Sequence, residues 1–167
     1  FMDVEVNKGS KINDKYKKER YRPYPSAGGI YELEIYILVK NQGEECHLLI
    51  KYNPNLNNLT EIGQEAKATN EISEYVRRCW ATETAPRYIL MLVGDYSKLS
   101  YKYENIAYRL MLLNAGCAVS SFYRACKSLS IGCCCTGCGP SDLIRCIIPN
   151  GENLTPIVEI GFGRQNG

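Results

Sequence analysis

Histidine and tryptophan are almost missing from this sequence: each occurs once, as His47 and Trp80. A single imidazole excludes a histidine-cluster metal site, and His47, inside an expected strand, reads as a packing or edge residue. A surplus of charge is missing too. The 20 basic side chains face 18 acidic ones, for a net charge of +2, which argues against nucleic acid or another polyanion as an obligate partner. No apolar run reaches the roughly 18 residues of a membrane span. The opening FMDVEVNKGSK also lacks the apolar core of a secretory signal. The expectation is a cytoplasmic protein that engages no membrane. Phe1-Met2 is an odd native start, as expected of a fragment, a processed chain or a numbering that begins mid-protein.

What is present is a globular composition. The 167 residues, 45% apolar and 23% charged, suffice for one domain with a sizeable core. Nine cysteines include seven between Cys117 and Cys146. An odd number with three adjacent does not form a disulfide framework, so most thiols are expected to be reduced. Within CCCTGC, Cys135 and Cys138 have the spacing of a zinc knuckle, an iron–sulfur ligand pair or a redox disulfide. Adjacent Cys133, Cys134 and Cys135 cannot all address one ion, and a second Cys-x-x-Cys is absent. We therefore expect no metal, and the thiols equally read as small residues lining a core or cleft.

Residues 1–19 read as a polar, lysine-rich arm or the remnant of a larger N-terminal region, and 20–167 as one domain. IYELEIYILVK alternates like a strand, and CHLLIKYN after the polar NQGEE completes a hairpin. NPNLNNLT is expected to be a loop, NEISEYVRRCW a helix, and RYILMLVGD a central strand. Apolar positions at spacings of three and four predict a long helix from about Tyr103 to Leu129. SIGCCCTGCGP is expected to be a loop, Ser141 the cap of a short helix, and TPIVEIGFG a last strand. The class is α+β with mainly antiparallel strands.

Three stretches then point to a family. RPYPSAGGIYELEIYIL sets a bend of two prolines and two glycines against a strand; KYENIAYRLMLLNAG opens the long helix; TPIVEIGFG closes the chain. In that order they resemble the nitroreductase-like flavoproteins, and among them the azoline dehydrogenases of thiazole/oxazole-modified peptide biosynthesis. The resemblance spans about residues 19–163. It departs at Asn114 and Ser120-Ser121, where relatives carry an acidic residue and a Gln-Asn pair, and before the bend, where only DKYKKERYR stands for their phosphate-binding arginines.

The resemblance implies FMN as cofactor, contacted by Arg22, Ser26, Ala27 and Gly28, with Arg20 and Arg164 as further candidates for its phosphate. It implies Lys102 and Tyr103 as the catalytic pair. Oxidising an azoline to an azole removes a proton from carbon and a hydride to flavin, so a base must stand over the substrate. Alone, SYKYE reads as a helix entrance with solvated charge; Tyr108-Arg109 at the family's spacing raises the catalytic reading, with Arg109 itself a structural ion-pair residue. The implied partners are a modified precursor peptide, a cyclodehydratase and a second copy of the chain. The alternatives are a generic NAD(P)H-dependent nitro- or quinone reductase of the same fold, and a flavin-less scaffold or peptide-binding subunit.

Overall fold

The structure is a computed structural model, and it describes residues 22–40, 47–63 and 66–164. The polar arm, Arg20, the NQGEE turn and Cys46 lie outside the described residues. Among the described residues, six strands form one sheet in the order β3-β2-β1-β4-β6-β5. They are β1 (Leu33–Lys40), β2 (His47–Asn53), β3 (Asn58–Gly63), β4 (Tyr88–Asp95), β5 (Ile131–Thr136) and β6 (Leu154–Arg164). Every pairing is antiparallel.

The apolar run of β4 follows from its place between two helical layers. Ile89, Met91 and Val93 point to one face, where they pack with Ile72 and Val76 of α1 (Ala66–Cys79) and Ile144 and Ile147 of α4 (Ser141–Ile147). Leu90 and Leu92 point to the other. There they meet Leu99 of α2 (Tyr96–Tyr103) and Ala107, Met111, Ala115 and Ala118 of α3 (Ala107–Ser128). A strand covered on both sides has no polar face to offer. Each buried Ile, Leu or Met contributes about 1.5–3 kcal/mol, so these two clusters, and not surface ion pairs worth at most about 1 kcal/mol, hold the layers.

Three expectations are corrected. CCCT is no loop: Ile131–Thr136 pairs along β6, with Cys134 opposite Gly161. The end of NPNLNNLT enters a strand, β3, whose pairing with β2 overrides a polar composition. Ser141 is the first residue of α4, Pro140 holds the cap position, and no side chain caps it. The expected long helix is present as α3, and a short 3-10 turn, Glu104–Ile106, opened by Glu104 at φ 42°, sets it off from α2.

Candidate functional site

The double glycine has a conformational reason. Gly28 and Gly29 both adopt left-handed φ, 61° and 68°, which side chains with a Cβ resist. The Gly29 N–H donates to the Ser26 carbonyl at 3.0 Å and the Ile30 N–H to the Ala27 carbonyl at 3.3 Å. The amides of Ala27 and Gly28 precede the first of these bonds, so the turn itself offers them no acceptor. They are the donors the bend presents.

Tyr31 then takes φ 53°, a costly value for an aromatic residue. It is held there by its N–H, which donates to Ser26 Oγ at 2.9 Å, and by the Arg22 guanidinium lying 5.0 Å from its ring centroid. Arg22 also donates to Tyr24 Oη at 3.0 Å and to the Leu33 carbonyl at 2.7 Å. Its guanidinium thus braces the bend from within.

Behind the bend lies a buried network. Ser26 Oγ donates to Glu32 Oε2 at 3.0 Å, and Asn114 Nδ2 donates to Glu32 Oε1 at 2.8 Å. Glu32 is fully buried, so its carboxylate depends on these donors. Sequence reasoning missed Glu32, which stands as a polar position in an alternating run. Nothing in its spacing marks it, and its link to Asn114 joins segments 82 residues apart.

The bend precedes β1 and α2 follows β4. Because Leu33 pairs with Gly94 and the Asp95 N–H donates to the Glu32 carbonyl at 3.0 Å, both segments leave the same end of the sheet. Asp95 caps α2 by accepting from the Ser97 N–H at 3.1 Å. At the other end of α2, Lys102 and Tyr103 fold back over the bend. A Cβ built on Gly28 would lie 2.6 Å from Tyr103 Oη and 2.7 Å from Lys102 Nζ. The amine sits 5.3 Å from the Tyr103 ring centroid, within cation–π range. Lys102 is exposed, whereas Tyr103 is half-buried against the α3 side of the core.

The structure thus brings Ser26, Ala27, Gly28, Lys102 and Tyr103 together. Arg164 it does not: the residue closes β6, roughly 30 Å along the strand from Leu154, which pairs with Asp95. Arg109 is exposed on α3 and makes no ion pair among the described residues. His47 is buried, with Nδ1 3.0 Å from Asn70 Oδ1, and burial lowers its pKa. Among the described residues no three His, Cys, Asp or Glu side chains are grouped to hold a metal ion. No helix among them is long and apolar enough to cross a membrane.

An antiparallel sheet between two helical layers, with a glycine bend facing the helix that follows β4, defines an α+β protein of nitroreductase type. Residues 12–156 match the Nitroreductase family model, and the chain belongs to that family. No curated protein matches the chain in a direct sequence search. Among solved structures, the chain is similar to one in the E. coli microcin synthetase McbBCD complex with truncated pro-MccB17 bound. The TM-score is 0.70 at 16% identity, covering 93% of this chain and 59% of that one. A protein assigned as a nitroreductase from Ralstonia eutropha aligns with TM-score 0.68 at 16% identity, over 87% of this chain and 64% of its own. An FMN-dependent nitroreductase from Clostridium difficile aligns with TM-score 0.53 at 12% identity, over 87% and 70%. The chain spans about three fifths of the length of the first two.

The Ala27 and Gly28 amides are donors of the kind that the phosphate or ring carbonyls of FMN accept from, and the missing Cβ at Gly28 lets the Lys102 amine and the Tyr103 phenol close onto the bend. The Ser26 hydroxyl is already used by Tyr31 and Glu32, so that residue would contribute through its backbone.

Proposed function

We propose that this chain is an FMN-dependent oxidoreductase that converts azolines in a ribosomally made peptide to azoles. The observation that carries the reading is the apposition of the Lys102 amine and the Tyr103 phenol on Gly28 of the bend. Bound FMN would supply the hydride acceptor. Lys102 Nζ takes the proton released from the azoline carbon, and Tyr103, fixed by its packing, orients the ring being oxidised. A generic nitro- or quinone reductase needs no base at this position. Likeness to the fold of a chain in a synthetase complex with truncated pro-MccB17 bound favours a peptide substrate. On this reading the chain works as a homodimer beside a cyclodehydratase that supplies the azoline.

One observation favours a second reading, a flavin-less peptide-binding subunit: Arg22 is committed to Tyr24, Leu33 and Tyr31 and is not free to hold a phosphate. The visible spectrum of the purified protein separates the two. A yellow protein that oxidises a thiazoline peptide, and whose Lys102→Ala variant stays yellow but loses that oxidation, supports the first. A colourless protein that binds the peptide supports the second. A yellow protein that reduces nitroarenes with NAD(P)H, and for which Lys102→Ala changes nothing, overturns the dehydrogenase assignment.

A further inference from the structure

Among the thiols on the α1–α4 face of the sheet, on the other side from the bend, one close pair is not used by the function above. Cys79, the last residue of α1, and Cys138, just beyond β5, hold their sulfurs 2.7 Å apart although 59 residues separate them in sequence. Both are exposed. A disulfide has sulfurs about 2.05 Å apart, so closure needs a movement of only about 0.7 Å.

Both thiols are carried on anchored backbone. On the Cys79 side, the Trp80 N–H donates to the Val76 carbonyl at 3.1 Å. The Trp80 ring lies over Gly161 of β6, where a Cβ would collide with it. On the Cys138 side, the Gly139 N–H donates to Glu159 Oε2 at 3.0 Å. A Cβ at Gly139 would strike that same carboxyl group, so the loop is seated directly on β6. Gly161 and Glu159 are two residues apart on one strand and face the same layer. One strand thereby sets the distance between the two sulfurs.

The surroundings also distinguish the pair. Thr136 Oγ1 stands 2.7 Å from Cys138 Sγ, so Cys138 has hydrogen-bonding partners in both Cys79 and Thr136. The bond from Cys79 and that from Thr136 lower the Cys138 pKa, and the same bond raises that of Cys79. The short contact from Thr136 to Cys138 Sγ marks Cys138 as the attacking sulfur and leaves Cys79, 2.7 Å away, to resolve it. Metal ligation is a poorer account, because no third ligand joins them among the described residues.

We propose that Cys79 and Cys138 form a reversible disulfide site that is oxidised by hydrogen peroxide. The Cys138 thiolate attacks one peroxide oxygen. The S–O bond forms as the O–O bond breaks, and the departing hydroxide takes a proton to become water. Cys79 loses its proton and attacks the Cys138 sulfur; the S–S bond forms, the S–O bond breaks, and the second hydroxide leaves as water with that proton. Two thiols have then given two electrons to one peroxide, and a dithiol reductant reverses the change.

The test is peptide mapping of the full chain. The reduced protein is treated with one equivalent of hydrogen peroxide, its remaining thiols are alkylated, and it is digested with trypsin. The expected product joins peptide 79–87 to peptide 128–145, with fragment ions placing the bridge at Cys138, and dithiothreitol abolishes it. Cys134→Ser leaves the bridge, and Cys138→Ser removes it. In Cys79→Ser, dimedone traps a sulfenic acid on Cys138. Recovery of Cys79 fully alkylated, a bridge from Cys79 to Cys133, Cys134 or Cys135, or an unchanged yield in Cys138→Ser would overturn the site. Absence of dimedone on Cys138 in Cys79→Ser would overturn its role as the attacking sulfur. No readout depends on flavin or on oxidase activity.

Discussion

Asn114 reaches 82 residues back along the chain to donate its side-chain N–H to Glu32 at 2.8 Å, in the buried interior. The bond ties the middle of the central helix to the residue that follows the glycine bend. Replacing Asn114 with Leu would leave the Glu32 carboxylate with one donor fewer and no water to replace it. The expected loss is about 1–3 kcal/mol, read from the urea midpoint. An unchanged midpoint would mean that Glu32 is served by other partners.

Glu159 carries a pH dependence. Burial raises its pKa from 4.5 to about 7, partly offset by the Gly139 N–H. In the unfolded chain the group ionises near 4.5, whereas in the folded protein it stays protonated up to about 7. Its contribution is fully present below the unfolded value and is lost as pH rises through the folded one, on the order of 3 kcal/mol in all. Urea midpoints should therefore fall between pH 5 and pH 7.5 for the wild type. In Glu159→Gln, which is neutral throughout and keeps an acceptor for Gly139, that part of the slope should vanish.

Gly28→Ala tests the proposed site with the smallest possible intrusion. The added methyl would stand 2.6 Å from the Tyr103 phenol and 2.7 Å from the Lys102 amine, at a φ that already penalises it. Both heads must move. Azoline oxidation should drop by at least about tenfold, while stability falls by about 1–2 kcal/mol, the cost of a Cβ at a left-handed φ. Full activity would show that the amine and phenol need not sit on the bend.

Gly161→Ala would push a methyl into the ring of Trp80, the sole tryptophan. Overpacking of this kind costs about 1–3 kcal/mol. Because no other indole contributes, the emission maximum should move as the ring is displaced. An unmoved emission spectrum with unchanged stability would contradict the packing.

Much of this architecture was legible in the sequence, for reasons that differ by element. The uninterrupted apolar run of β4 reported burial on both faces. The alternation of β1 worked because Leu33 and Ile35 face one layer while Tyr36 and Leu38 face the other. β5 was not legible: glycine and cysteine carry little strand preference, and only the pairing with β6 makes Ile131–Thr136 extended. Nor was the break at Glu104, whose neighbours are all acceptable in a helix; its positive φ has no local signal. The bend and the Lys-Tyr pair stood out by motif, but the bracing task of Arg22 and the Glu32–Asn114 bond depend on contacts between distant segments, which spacing does not encode.

The pairing of Leu33 with Gly94 works as a vernier. Bend and helix mouth project from neighbouring antiparallel strands, so sliding β1 by two residues against β4 preserves every inward-facing side chain yet shifts Gly28 some 7 Å from Lys102. Substitutions deep in either strand can therefore silence chemistry at the rim without unfolding anything, and loss of activity alone does not locate a residue in the site.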